Sequence, residues 1–151
     1  MSQSLVKNYL HLVFSTKQRI AWMPVECRSK LYAYQSGIFK KLDSPVLEIN
    51  GVEDHVHILF LLSKNHAMKE IAEEVKKGSS KWMKTSEGTN NSNFYWQGGY
   101  GAFSVSQSKV EAVRKYIQNQ EEHHRKVSFQ DELRELFRLH EVEFDERYVW
   151  D

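Results

Sequence analysis

Cysteine is nearly missing from this sequence. Cys27 stands alone among 151 residues, so no internal disulfide can staple the fold. No run of about 18 apolar residues occurs, which argues against a membrane-spanning helix. The opening "MSQSLVKNYLHLVFSTKQR" lacks the signal-peptide order of basic start, apolar block and small-residue cleavage site. Together these absences point to the cytoplasm. A phosphate-cradling loop is absent as well. "GGYG" at 98–101 has no Lys-Ser or Lys-Thr ending, so no nucleotide cofactor is expected. Internal repeats and low-complexity blocks are lacking. Net charge is only +1, so bulk charge does not announce a nucleic-acid binder. Its distribution is uneven. The first 84 residues carry 13 Lys and Arg against 8 Asp and Glu, and the rest carry 8 against 12. A polyanion would meet the first part more readily.

What is present suffices for a packed core: 40% apolar and 13% aromatic residues. The length fits one domain over 1–151, with a core at about 5–126 and a C-terminal helix and tail at about 127–151. "YLHLVFST" (9–16) reads as a first strand. Leu31, Tyr34, Gly37, Ile38 and Leu42 recur at helical spacing, predicting a helix over 23–42 with Pro24 in its first turn. "SPVLEING" (44–51) and "DHVHILFLL" (54–62) form an expected hairpin, with Asn50-Gly51 as its turn signal. A second helix is expected over 65–84, capped by Asn65, with a break at Gly78. A polar loop leads to a fourth strand at 100–106. Ser106 or Ser108 then caps one helix over 109–126. The order strand, helix, strand, strand, helix, strand predicts an α+β, ferredoxin-like fold. Its four-stranded antiparallel sheet carries two helices on one face. The added helix, a ligand or a partner is left for the other.

His55 and His57 lie two apart in a strand, so they share a face, with Cα atoms roughly 6.5–7 Å apart. Two imidazoles at that spacing can converge on a cation. Taken alone, the pair is more simply read as hydrogen-bonded sheet residues, and two ligands are too few for a tight site. His11, mid-strand, is a further candidate for that face. On the added helix, Tyr116 and Gln120 stand at i and i+4, on one side with Val113. Spacing alone leaves Tyr116 as a core anchor and Gln120 as a solvated amide. His123 and His124 could be extra metal ligands, but a helix end beside Glu121 and Glu122 is an adequate structural account and the preferred one.

As a set, these residues resemble the HUH single-tyrosine transposases of small bacterial insertion sequences. The hallmark His-hydrophobe-His is matched by His55-Val56-His57. The tyrosine helix with a Gln four residues on is matched by Tyr116 and Gln120. "YLHLVFSTKQR", "KKGSSKW" and "WQGGYGAFSVS" resemble the first strand, the end of the second helix and the last strand of that family. Relatives acting on repeated extragenic palindromes share this core. The resemblance implies an enzyme that cuts and rejoins single-stranded DNA, often at hairpin-forming element ends, usually as a homodimer. It implies Tyr116 as nucleophile and a divalent metal, Mg²⁺ or Mn²⁺, on His55, His57 and Gln120. Histidine nitrogens suit Mn²⁺ better than Mg²⁺.

Beside that reading, Lys76, Lys77, Lys81 and Lys84 at the end of the second helix, with Lys17 and Arg19 after the first strand, are candidates for phosphate contacts. Trp22, Phe94, Tyr95, Trp96 and Tyr100 lie in or near loops, where stacking on bases competes with packing. Two other readings of the pattern are a non-catalytic ferredoxin-like nucleic-acid-binding module and a metal-dependent phosphodiester hydrolase.

Overall fold

The computed structural model describes residues 2–151. β1 (Tyr9–Ser15) is followed by α1 (Val25–Lys41), β2 (Val46–Gly51), β3 (His55–Leu61), α2 (Met68–Met83) and β4 (Gly101–Val105). The sheet order is β2-β3-β1-β4, antiparallel throughout, which is the ferredoxin-like arrangement expected. Three further helices follow: α3 (Val110–Gln118), α4 (Gln120–His123) and α5 (Phe129–Leu139). Among the described residues, no helix is long and apolar enough to cross a membrane.

Strand alternation assigns the two faces. Leu12 and Phe14 of β1 and Val56, Ile58 and Phe60 of β3 point into a core closed by Leu31 and Phe39 of α1 and Ile71 and Val75 of α2. These side chains are fully buried, each contributing about 1.5–3 kcal/mol relative to exposure. Gly78 does not break α2. A Cβ there would stand 2.7 Å from Ile38 Cδ1, so the missing side chain lets α2 pack closely on α1. Asn65 does not cap this helix: it starts after Ala67, without a side-chain cap.

The opposite face carries Tyr9, His11 and Val13 of β1, His55, His57 and Leu59 of β3, and Phe103 of β4. All three C-terminal helices cover it. Val110 and Ile117 of α3 pack on Tyr9 and Leu59, and Phe129, Leu133, Leu136 and Phe137 of α5 pack on Val13 and Phe103. Ser128 accepts a hydrogen bond from the Asp131 amide at 3.1 Å and caps α5, a contact worth about 1 kcal/mol. The tail returns to the sheet end, where Gly98 N–H donates to the Asp151 carbonyl at 2.7 Å.

Three further expectations are corrected here. The helix expected over 109–126 is interrupted at Asn119 (φ −95°, ψ 18°), and its first turn carries no serine side-chain cap. The hairpin turn lies at residues 52–54, with Asn50 and Gly51 still in β2. Gly51 is needed for proximity, because a Cβ would meet the His55 carbonyl oxygen at 2.2 Å. Asn50 has a different task. Its Nδ2 donates to the carbonyls of Ile117 (2.9 Å) and Gln118 (3.1 Å), satisfying the end of α3.

Candidate active site

His55 and His57 are fully buried on the face covered by α3 to α5. Their ring centroids are 5.2 Å apart. His55 Nδ1–H donates to Asp54 Oδ1 at 2.7 Å, and His57 Nδ1 lies 2.8 Å from His11 Nε2. Each ring is therefore oriented through Nδ1 while Nε2 faces the covering helices. His11 belongs to this face and supports the pair from the neighbouring strand.

α3 brings Tyr116 over the pair. Its ring centroid lies 5.7 Å from that of His57 in the same chain. Gln120, also fully buried, accepts from His55 Nε2 at 3.3 Å and His124 Nε2 at 2.9 Å, and its amide donates to the Tyr116 carbonyl at 3.3 Å. The sequence-predicted set of Tyr116, His55, His57 and Gln120 is thus brought together within one chain.

Two further residues join. The preferred reading of His124 as a helix-end residue is corrected: it turns inward, its ring centroid 4.2 Å from that of His55. Glu132 of α5 is buried at the centre. Its Oε1 lies 2.8 Å from His57 Nε2, 3.0 Å from His124 Nε2 and 3.4 Å from His55 Nε2. Its Oε2 accepts from the Tyr116 hydroxyl and lies 3.2 Å from His123 Nε2. A signal for Glu132 existed. It sits on the apolar stripe of α5 between Phe129 and Leu136, where a carboxylate is stable only with partners.

The electrostatics follow. Burial would raise the Glu132 carboxyl, but His57 and the hydrogen bonds from His124, His55 and His57 hold it well below the usual range. Burial disfavours His55 as a cation, yet the hydrogen bonds to Asp54 and Glu132 outweigh it and lift the imidazole to about 9. For His57, burial wins over Glu132 and lowers it. His11 is lowered by burial and by His57. The Tyr116 phenol is pushed upward by burial and by the Glu132 charge, so nothing in the protein alone turns it into a phenolate at neutral pH.

Donor atoms of His55, His57, His124 and Glu132 all lie within 4.8 Å of one another. Their chemistry and proximity fit one divalent ion, held by the three imidazole nitrogens and the carboxylate. Beside it, a cavity of about 840 Å³ opens against Tyr116, with walls from Val105, Val113, Leu136 and Leu139.

The candidate phosphate contacts lie elsewhere. Lys84 Nζ sits 4.1 Å over the exposed Tyr95 ring and Lys17 Nζ 6.0 Å from it. Lys77 and Lys81 are exposed on α2. Lys76 donates to the carbonyls of Gly98 (3.2 Å) and Gly99 (3.0 Å), and burial lowers its ammonium to about 8. Arg19 donates to the Trp150 carbonyl at 2.9 Å. Phe94 and Trp96 are buried against the main core, whereas Tyr95 and Tyr100 are exposed.

Comparison with known protein families finds one whose description is "Transposase IS200 like", matching residues 4–120. The chain belongs to the IS200-like transposases. Among curated proteins, none matches the sequence. Two solved structures share the fold of this transposase. One is a proposed transposase from Deinococcus radiodurans R1, 20% identical, with TM-score 0.61 over 80% of this chain and 98% of that one. The other is a tyrosine transposase associated with REP elements, bound to a REP hairpin. It is 14% identical, with TM-score 0.62 over 84% of this chain and 76% of that one. This transposase is accordingly an enzyme of the single-tyrosine class, a family that implies a divalent metal. His124 and Glu132 lie beyond the stretch that the family description matches.

Proposed function

We propose that this transposase cleaves and rejoins single-stranded DNA with Tyr116 as nucleophile. The observation that carries the reading is the placement of the Tyr116 ring against His57 of the same chain, beside a cluster of metal-type donors.

The phenol oxygen attacks phosphorus in line. The new bond joins Tyr116 to the 5′-phosphate side, the P–O3′ bond breaks, and O3′ leaves as a hydroxyl, taking up a proton. The phosphodiester energy stays in the phosphotyrosine link. A 3′-OH reverses the step without ATP. His55, His57 and Gln120 would hold the ion, and donor chemistry favours Mn²⁺ over Mg²⁺. When bound, the ion supplies Lewis-acid stabilisation of charge on a non-bridging phosphate oxygen. Glu132 Oε2 orients the phenol. The cavity beside Tyr116 has room for a nucleotide flanking the scissile phosphate.

The strand itself is gripped by Lys17, Lys77, Lys81 and Lys84, with Tyr95 as a stacking surface between Lys17 and Lys84. Lys76 holds the loop carbonyls of Gly98 and Gly99, Arg19 holds the tail carbonyl of Trp150, and both stand ready for phosphate. The fold likeness to a transposase bound to a REP hairpin supports a hairpin-forming element end as target. We place the enzyme in the cytoplasm, where bacterial DNA is found. Residues 1–151 act as one domain, because α5 supplies Glu132 to the site and the tail packs against α5. A homodimer is favoured by the sheet's two open edges, β2 and β4, and predicts twice the 17.8 kDa chain mass by light scattering.

Labelled single-stranded DNA from the element's ends, incubated with Mn²⁺ or with EDTA, tests the reading. A metal-dependent covalent adduct, lost in Tyr116→Phe, is expected. Cleavage surviving in that variant points to hydrolysis by water. Binding without cleavage points to a recognition module.

A further inference from the structure

Three imidazoles in this protein are set up alike, and only two of them belong to the His-hydrophobe-His pair. His55 Nδ1 is engaged by Asp54 Oδ1 at 2.7 Å, His57 Nδ1 by His11 at 2.8 Å, and His124 Nδ1 by the Val127 carbonyl at 2.7 Å. Engagement of one ring nitrogen by a carboxylate, carbonyl or similar partner is how proteins aim the other at a metal. In all three rings the remaining Nε2 faces one point. Glu132 Oε1 stands there, at 2.8 to 3.4 Å from each nitrogen.

We propose that the metal centre is a four-ligand site in one chain, with His124 and Glu132 as ligands alongside His55 and His57. Resting on the transposase reading, this changes its ligand set. Half of the set then comes from the segment after the tyrosine helix. Gln120 shares the rim through its amide oxygen, which bonds His55 and His124. Three nitrogens and one carboxylate make a transition-metal site. Mg²⁺, which prefers oxygen donors and keeps its waters, is the poorer occupant. Glu132 has a second consequence. With Oε1 among the ligand nitrogens, its Oε2 still accepts from the Tyr116 hydroxyl, so one carboxylate ties the ion's position to that of the nucleophile.

The binding of Mn²⁺ alone tests this, by calorimetry and by the electron paramagnetic resonance signal of free Mn²⁺, on the full chain without DNA. The wild-type protein is expected to bind Mn²⁺ at least about tenfold more tightly than Mg²⁺. His124→Ala and Glu132→Gln are each expected to weaken Mn²⁺ by at least about tenfold. Circular dichroism confirms that each variant is folded. If Glu132→Gln does not fold, His124→Ala carries the same test. Wild-type Mn²⁺ affinity in a folded His124→Ala or Glu132→Gln would overturn the ligand set. Were such a variant still to form the metal-dependent adduct, the transposase reading would stand without it. Conversely, weakened Mn²⁺ in both variants with no adduct in wild type would keep the site and remove the chemistry.

Discussion

His57 Nε2 on the central strand lies 2.8 Å from Glu132 Oε1 on the last helix, across 75 residues of sequence. This contact closes the open face of a ferredoxin-like sheet and seats a carboxylate among three histidines. The same carboxylate reaches Tyr116. A face left free in the minimal fold is thereby made into a site.

Glu132 carries a pH signature. Its folded carboxyl lies well below the ordinary value near 4.5, held there by its histidine partners against the cost of burial. An acid depressed in the fold contributes stability above its unfolded value and loses it as pH falls. In protein treated with chelator, the stability gap between wild type and Glu132→Gln should be full at neutral pH. Below about 4.5 it should shrink by up to about 1.4 kcal/mol per pH unit. Denaturant titrations across that range measure it, and a gap independent of pH would contradict the assignment.

Asn50 fixes the tyrosine helix. It bonds the two carbonyls that immediately follow Tyr116, those of Ile117 and Gln118. Asn50→Ala should cost about 1–3 kcal/mol and lower cleavage more than DNA affinity, because the nucleophile loses its tether. Unfolding curves and single-turnover cleavage on the same samples check this. An unchanged cleavage rate would show that α3 is held by packing alone.

Lys84 ends α2, which packs on the sheet face opposite the buried histidines, and lies over Tyr95. Lys84→Ala should weaken single-stranded DNA binding and reduce the slope of log affinity against log salt by about 0.7. Its Mn²⁺ affinity should equal that of wild type. Fluorescence anisotropy at several salt concentrations gives the slope. An unaltered slope would remove Lys84 from the DNA path.

Much of the fold was legible because alternation in β1 and β3 is clean: Leu12, Phe14, Val56, Ile58 and Phe60 inward, His11, His55 and His57 outward. Helix ends and the hairpin turn were less legible. Asn50-Gly51 has turn chemistry, but close approach of the His55 carbonyl is what requires the glycine, and a sequence does not show such an approach. The site was half legible. His55 and His57 are neighbours in one strand, and Tyr116 and Gln120 stand one helical turn apart, so spacing relates them. His124 and Glu132 enter through a kink at Asn119 and the docking of α5. That is tertiary information. The trace it left was a glutamate on the apolar stripe of an amphipathic helix.

The most direct measurement is peptide mapping of the covalent protein–DNA adduct. After reaction with single-stranded element-end DNA and Mn²⁺, nuclease and trypsin treatment should leave a nucleotide on one peptide. That peptide is Tyr116–Arg125, "YIQNQEEHHR", in which Tyr116 is the sole tyrosine. Attachment at Tyr116, with a free 3′-OH on the released strand, is the predicted result. Attachment at another residue, or cleaved DNA with no residue modified, would contradict the account.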